Sequence, residues 1–282
     1  MSCPDCFSGH INPDTPKGHV TTLHGLETYV SEPSIPENEI KGIVIIVPDA
    51  FGWEFVNNRI LADHYAEMGG FKVYLPDFMH GTAAPVWMIN TLRTIMKTGS
   101  LYDWLVKPYH IALALYALPP FLFNNRLGKS YPIVESFFSA VRHAERADLP
   151  IGGAGFCWGG KHTVLMAHGA STTVNGVEKP LIDAGFTGHP SLLSIPDDIE
   201  KIVRPVSFAL AELDTNVKAE QIKTIQKIVE GKEIGGEVKV YLGAGHGFCV
   251  RADTAVEDSN RQAKESEEQA VEFFRRCFNK LA

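Results

Sequence analysis

A cysteine between two glycines carries the clearest sign of chemistry in this sequence. Cys157 lies at the centre of GFCWG (155–159), after an apolar stretch and before a helical pattern. The spacing Gly-x-nucleophile-x-Gly is typical of a strand-to-helix turn so sharp that side chains two residues away on either side would clash. Such a turn lifts the sulfur above the sheet edge and places it at a helix N-terminus, where the helix dipole favours a thiolate. The pattern predicts that Cys157 is a nucleophile.

Two phosphate-binding patterns fit the same glycines less well. A P-loop requires Ser or Thr after its Gly-Lys pair, but Gly160-Lys161 is followed by His162, so the hydroxyl for magnesium is missing. The dinucleotide pattern G-x-G-x-x-G requires a third glycine where Trp158 stands. The glycines therefore favour the nucleophile turn.

A thiol nucleophile needs a base, and the chain order nucleophile, acid, histidine places that base late in the sequence. Asp214 ends the stretch SFALAELD, and His246 follows VKVYLGAG between two glycines. Catalytic groups of open α/β sheets collect at such strand ends. We expect His246 to take the proton of Cys157 and Asp214 to orient the imidazole. Glu212 is the alternative acid.

Acyl transfer also requires donors for an oxyanion. The first donor is expected to be the backbone N–H of Trp158, the residue after the nucleophile. The second is expected from the loop after an earlier strand, at Ala50 or Phe51. Gly52 makes that loop tight.

Alternating strand-like and helix-like stretches position these residues. The apolar run in GIVIIVPDAFGW (42–53) is typical of a parallel strand buried on both faces. The alternation predicts an α/β fold with a mostly parallel central sheet and helices on both faces. The predicted strands are 20–33 (a strand or hairpin), 42–53 with its turn, 71–78, 149–156, 180–189, 204–214 and 237–245. The predicted helices are 57–68, 131–146, 157–170, 216–230 and 254–278.

Residues 82–128 interrupt this alternation with two or three apolar helical patches. A connection of this length is usually functional, so we predict a helical cap over the carboxyl ends of the strands. The alternative is an extra helical layer without a ligand role. Trp87 and Trp104 are candidates for lining a substrate pocket under the cap, although aromatic residues at helical spacing also suit plain core packing.

Composition bounds the class of protein. The chain has 282 residues, 45% of them hydrophobic, and a formal net charge of −7 without a basic block. The absence of a basic block predicts no nucleic-acid or membrane partner. No apolar stretch reaches the roughly 20 residues that a membrane span requires. Without a recognisable signal peptide, we expect a cytoplasmic monomer or homodimer. We expect an N-terminal tail at 1–19 and a single domain at 20–282.

The five cysteines do not have the spacing of a disulfide framework. Cys3 and Cys6 form a CxxC with His10 nearby, but a zinc site usually needs four ligands and no second CxxC exists. We therefore interpret this CxxC as part of an incidental or weakly ordered tail, and we predict no metal site.

Five motifs along the chain are shared with one family of α/β-hydrolases. They are PDAFGW (48–53), GGFKVYLPDF (69–78), GFCWGG (155–160), ELD (212–214) and GHGF (245–248). On these motifs the chain resembles the dienelactone hydrolases, or carboxymethylenebutenolidases, of the α/β-hydrolase superfamily. The N-terminal tail and the long insertion resemble the fungal-type branch of that family.

The resemblance implies hydrolysis of an ester or enol-lactone through an acyl-cysteine and a Cys-His-Asp triad, with no cofactor. It also implies a glutamate, in the loop after the early strand, that takes the thiol proton. Asp49 stands at that position and is one methylene shorter, which leaves direct activation of Cys157 by His246 as the other route. The alternative role for Asp49 is a turn residue that hydrogen-bonds its own backbone.

The resemblance further implies arginines that bind the carboxylate of a small-molecule substrate. The candidates are Arg59, Arg93, Lys97 and Lys218, each of which also suits an ordinary surface charge. His189, after another strand end, and Phe248, close to His246, are predicted to line the site.

Two other functions remain open at this level. The same fold without the chemistry would be a catalytically silent binder of small molecules or proteins. A thiol redox protein would use Cys3 and Cys6 or Cys157, but no resolving cysteine lies near Cys157 in the sequence.

Overall fold

The computed structural model describes residues 4–97 and 99–281. Its strands are β1 (His19–Leu23), β2 (Leu26–Ser31), β3 (Ile43–Val47), β4 (Lys72–Pro76), β5 (Ile151–Phe156), β6 (Ser171–Val174), β7 (Val177–Pro180), β8 (Ala184–Gly188), β9 (Val206–Ala211) and β10 (Glu237–Tyr241). Its helices are α1 (Val56–Gly69), α2 (Met88–Met96), α3 (Leu101–Asn124), α4 (Leu127–Ala144), α5 (Trp158–Met166), α6 (Asp197–Glu200), α7 (Ala219–Glu230) and α8 (Glu257–Phe278). Short 3-10 turns span Pro4–Phe7 and Glu37–Glu39.

Eight of these strands form the central sheet, in the order β1-β2-β4-β3-β5-β8-β9-β10. The six strands from β4 to β10 in that order run parallel, and β2 pairs antiparallel with both β1 and β4. Every residue of β3 is buried, as a strand covered on both faces requires. Helices α1 and α8 pack together, and α4 packs on α5, which lies against β3, β5 and β8. The predicted α/β-hydrolase fold is confirmed.

Two hairpins test the local predictions. The hairpin predicted at 20–33 is confirmed by the antiparallel pairing of β1 and β2. The hairpin of β6 and β7 was not predicted, because its strands are short and largely polar. Its signal was nevertheless present: Asn175-Gly176 has positive φ at both residues (52° and 80°), as a two-residue hairpin turn requires.

The predicted insertion at 82–128 is helical and contains α2 and α3, which pack against each other. Many large apolar side chains of α3 nevertheless face outward, among them Tyr102, Tyr109 and Tyr116. None of the helices in the described part of the chain has the length and apolar character needed to cross a membrane.

The described N-terminal residues lie against the domain, and the interpretation of Cys6 as incidental is wrong. Cys6 and Phe7 are buried. The ring of Phe7 meets Phe121 of α3 and Phe51 edge-on, with centroids 5.5 and 6.3 Å apart. These aromatic contacts hold Cys6 at the edge of the sheet, whereas Cys3 lies outside the described residues.

The glycines around Cys157 permit close backbone packing. A Cβ on Gly159 would stand closer than 3.0 Å to the carbonyl groups of Val47 and Pro48. A Cβ on Gly155 would meet the carbonyl of Gly159 and the hydroxyl of Thr163 at similarly forbidden distances. The turn between β5 and α5 therefore packs against β3 only when these positions lack side chains.

We expect Gly159→Ala to lower the free energy of unfolding by about 1–3 kcal/mol, because the added methyl group must push backbone atoms apart. Denaturant unfolding would measure the loss. The matched control is Gly128→Ala in α4, where a Cβ meets nothing within 4 Å. That change should be neutral or stabilising by up to about 1 kcal/mol, since Ala favours helix. Equal midpoints for Gly159→Ala and the wild type would contradict this packing argument.

Candidate active site

Cys157 lies at the junction of β5 and α5 with φ 50° and ψ −109°. A non-glycine residue in this region is strained, and surrounding bonds must hold it there. Its N–H donates to the carbonyl of Gly188 (3.2 Å), and its own carbonyl accepts from the N–H groups of Gly160 (3.1 Å) and Ser191 (2.9 Å). The structure thus has the sharp turn that the glycine spacing predicts.

His246 and Asp214 form a buried hydrogen-bonded pair. Nδ1 of His246 lies 2.9 and 3.1 Å from the two carboxylate oxygens of Asp214. Both side chains are at most 2% exposed. The N–H of Asn216 donates to the same carboxylate at 2.8 Å. The alternative acid, Glu212, instead accepts from the N–H of Gly243 on the exposed surface.

A second thiol, which the sequence did not predict as part of this site, lies beside Cys157. The sulfur atoms of Cys6 and Cys157 and a ring nitrogen of His246 all lie within 4.8 Å of one another. Cys6 Sγ is 3.6 Å from Nε2 of His246 and accepts from the side-chain amide of Asn216 at 3.7 Å. Only the wrapping of the N-terminal segment over the sheet edge brings Cys6 to Cys157.

These neighbours set where the proton lies. The hydrogen bond with Cys6, together with burial, raises the pKa of the Cys157 thiol, so the resting sulfur keeps its proton. Burial lowers the pKa of His246, but a thiolate at Cys157 and the hydrogen bond with Asp214 outweigh burial and raise that pKa to about 9. Because the pKa of the Cys157 thiol lies above that of His246, the neutral thiol and the neutral imidazole are the resting form of the pair.

The predicted oxyanion donors separate into two groups. Ala50 and Trp158 line a cavity together with Cys157. Their backbone N–H groups make no hydrogen bond to another residue in the described ranges. The prediction that Phe51 supplies an oxyanion donor is wrong. Its backbone N–H already donates to Oδ1 of Asp49 at 3.1 Å.

Asp49 is fully buried and its carboxylate is occupied by other groups. It pairs with the guanidinium of Arg251 and accepts from the side-chain amide of Asn58 at 3.0 Å. Together with the bond from Phe51, these contacts are those expected of a turn residue. The Cys157 thiol contacts Ser191 Oγ at 3.9 Å, and no hydrogen bond joins it to Asp49 within the described residues.

Arg251 is the cation that the sequence analysis missed. Burial lowers the pKa of its guanidinium, but the charges of Asp49, Cys157 and Cys6 outweigh burial and raise it. Its place five residues after His246, in the same turn, was the available signal. None of the predicted carboxylate-binding residues lines the cavity above Cys157: Arg59, Arg93, Lys97 and Lys218.

The cavity above the nucleophile has a volume of about 340 Å³. The N-terminal segment, the insertion and the loop after β8 all contribute to its walls. Its lining includes Phe7, Phe121, Leu122, Leu127, Leu192 and Arg126. The walls are mainly apolar, with one cation at the N-cap of α4.

The four predicted substrate-lining residues do not line this cavity. His189 and Phe248 are buried behind His246, with the His189 ring 4.9 Å from the His246 ring. Trp87 and Trp104 are 41% and 63% exposed on the insertion. Helical spacing identifies an apolar face, but packing decides which aromatic residues turn inward.

A buried histidine connects the Cys157 turn to α4. His162 Nε2 lies 2.7 Å from Ser130 Oγ, and its Nδ1 lies 3.1 Å from the carbonyl of Trp158. The indole of Trp158 donates to the carbonyl of Asn125, next to the end of α3, at 2.8 Å. Burial lowers the pKa of His162 to about 4.

A strained cysteine turn on a mostly parallel sheet, beside a buried histidine–carboxylate pair, defines a hydrolase of the α/β-hydrolase fold. The pattern of the dienelactone hydrolase family matches residues 26–278, so the chain belongs to that family. Members of this class act on carboxylic ester and lactone bonds.

Curated relatives align with nearly the whole chain. Hydrolase tropI from Talaromyces stipitatus is 29% identical over 276 residues, which cover 97% of this chain and 95% of that protein. The carboxymethylenebutenolidase homolog of Mus musculus is 28% identical over 255 residues, covering 88% of this chain and 86% of its own length.

Solved structures share the fold at lower identity. A putative dienelactone hydrolase from Klebsiella pneumoniae superposes with a TM-score of 0.61 at 18% identity, covering 93% of this chain and 99% of its own. Esterase 2 of Thermogutta terrifontis with bound propionate superposes with a TM-score of 0.56 at 15% identity, covering 92% and 96%.

The buried His162 predicts a pH-dependent stability. Its pKa is about 4 in the folded chain and 6.5 in the unfolded chain, so only the unfolded chain binds this proton between those pH values. The free energy of unfolding should therefore fall by about 3 kcal/mol on its account as pH drops from 6.5 to 4. Denaturant unfolding at pH 7.5 and 4.5 should show a smaller pH dependence for His162→Gln. An identical pH dependence in the variant would contradict the assignment.

Proposed function

We propose that this protein hydrolyses a small ester or enol-lactone through an acyl-cysteine intermediate. Cys157 is the nucleophile, His246 the base and Asp214 the group that orients the imidazole. The observation that carries the proposal is the buried His246–Asp214 pair, 2.9 Å apart, beside a cysteine held at positive φ at the sheet edge. A merely structural cysteine requires neither the strained turn nor a hydrogen-bonded base.

The first half of the cycle forms the acyl-enzyme. His246 takes the thiol proton, and the sulfur attacks the substrate carbonyl. The backbone N–H groups of Trp158 and Ala50 stabilise the negative charge that develops on the carbonyl oxygen. His246 then gives its proton to the leaving oxygen, which in a lactone remains tethered to the acyl group.

The second half returns the free thiol. His246 removes a proton from water, and the hydroxide attacks the acyl-sulfur carbonyl over the same oxyanion donors. The thiolate leaves, takes up a proton and regenerates Cys157. No cofactor takes part in this cycle.

The apolar cavity supports a substrate with an apolar body. Phe7, Phe121 and Leu122 surround the space above Cys157, and Arg126 offers a cation for an acidic substituent. Its volume of about 340 Å³ suits a small molecule of the size of an aromatic or enol lactone. Relatives named as dienelactone hydrolases and carboxymethylenebutenolidase homologues make an enol-lactone the first substrate to test.

The nucleophile is tested with dienelactone and p-nitrophenyl acetate. We expect Cys157→Ala and His246→Ala to lower kcat/KM by about 10³–10⁴ on any substrate that is turned over. Mass spectrometry of the wild type after a brief reaction should show one acyl group on the peptide that contains Cys157. The matched control is Cys277→Ser on α8, which should keep full activity. A Cys157→Ala variant that retains turnover would overturn the proposal, and an unreactive wild-type thiol would favour a silent binder.

Introducing a charge into the cavity lining tests whether the apolar wall binds the acyl chain of the substrate. Leu122 is 46% exposed but contributes apolar surface to the lining, so Leu122→Asp should raise KM for p-nitrophenyl esters of medium chain length about tenfold, because a hydrated carboxylate replaces apolar contact with the acyl chain. The matched control is Leu115→Asp, an exposed leucine of the same helix that does not line the cavity. Equal KM values for the two variants would place the acyl chain elsewhere.

A further inference from the structure

Three side chains that bind zinc converge at the nucleophile. Cys6, Cys157 and His246 each present one ligand atom, and all three atoms lie within 4.8 Å of one another. The two cysteines are buried, and the side chain of His246 is fully buried. The CxxC pattern did not predict this set, because two of its members come from other parts of the chain.

The spacing of the atoms fits tetrahedral zinc. Zinc–sulfur bonds of about 2.3 Å and zinc–nitrogen bonds of about 2.0–2.1 Å place sulfur and nitrogen ligands about 3.5 Å apart and two sulfur ligands about 3.8 Å apart. Cys6 Sγ lies 3.6 Å from Nε2 of His246. The remaining separations, at most 4.8 Å, require a movement of about 1 Å.

The surroundings of His246 also suit a ligand. Its Nδ1 is held by the Asp214 carboxylate, which orients Nε2 toward the two sulfur atoms. Zinc-binding histidines usually donate their second nitrogen to a carboxylate in this way, because that bond fixes the ring and raises its basicity. The side-chain amide of Asn216 donates to Cys6 Sγ at 3.7 Å and so holds this second ligand beside the imidazole.

The ligand types select the metal. Two thiolates and one imidazole favour zinc over magnesium or calcium, which prefer oxygen ligands. Three protein ligands also leave a fourth tetrahedral position, and both cysteines line the cavity from which water would fill it.

We propose that Cys6, Cys157 and His246 form an inhibitory zinc site. Binding of one Zn²⁺ releases the protons of the two thiols and forms two sulfur–zinc bonds and one nitrogen–zinc bond. The metal then occupies both the nucleophile and the base, and it ties the N-terminal segment over the cavity. Zinc affinity is independent of the proposed hydrolysis, whereas the loss of activity rests on it.

The test titrates the metal-free, reduced full chain with Zn²⁺ and Co²⁺ in the absence of oxygen. We expect one metal per chain and a sulfur-to-cobalt charge-transfer absorption. Hydrolysis should fall in proportion to bound zinc and recover on addition of a chelator.

Cys6→Ser provides the decisive variant, because it keeps the size of the side chain and removes one thiolate. Zinc should bind at least about 100-fold more weakly, and any cobalt complex should keep about half the charge-transfer intensity. Cys277→Ser, which removes a thiol outside the cluster, should bind both metals like the wild type. Thermal unfolding without metal establishes that each variant is folded, and Cys6→Ala repeats the measurement if Cys6→Ser is not.

Two results would overturn the inference. One is the absence of a 1:1 thiolate–cobalt complex in the wild type. The other is unchanged zinc affinity in the folded Cys6 variant. Because the cobalt spectrum is independent of catalysis, a protein without hydrolase activity would still give a clear answer on zinc.

Discussion

The buried ion pair of Arg251 and Asp49 joins the segments from which the site is built. Asp49 belongs to the loop after β3, and Arg251 to the turn that carries His246. The guanidinium of Arg251 also donates to the carbonyl of Ser8 at 2.7 Å. The backbone carbonyl of Arg251 accepts from the N–H of His10 at 3.1 Å. Removing one member of such a pair leaves an uncompensated buried charge, which typically costs about 3–5 kcal/mol. The loop after β3, the turn that carries His246 and the N-terminal segment are therefore held as one unit.

Within that unit, the Cys157 turn positions the sulfur and the His246–Asp214 pair positions the imidazole. Packing of Gly155 and Gly159 against β3 keeps the sulfur at the sheet edge despite an unfavourable φ. The carboxylate of Asp214 keeps the imidazole ready to accept a proton. The resting thiol is neutral, so the proposed mechanism requires a proton transfer from Cys157 to His246.

The N-terminal segment gives this active site a wall that the sheet and its helices do not supply. Phe7 packs between Phe51 and Phe121, so the segment and the insertion close the cavity from two sides. Cys6 enters beside the nucleophile as a consequence of that packing. The same contact that shapes the cavity therefore brings a second thiol close to Cys157 and His246, the three side chains of the proposed zinc site.

The sequence by itself determined the sheet, the cysteine turn and the strand ends that carry Asp214 and His246. Those features follow from short-range rules. Apolar periodicity distinguishes strands from helices, and glycines two residues on either side of Cys157 indicate a sharp turn because larger side chains would clash there. Only the tertiary structure decided that Cys6 and Arg251 belong to the site, that the N–H of Phe51 is occupied, and that Trp87 and Trp104 face outward. These facts depend on contacts between residues far apart in the chain. Such contacts are fixed by how packed elements fill space, which no local pattern specifies.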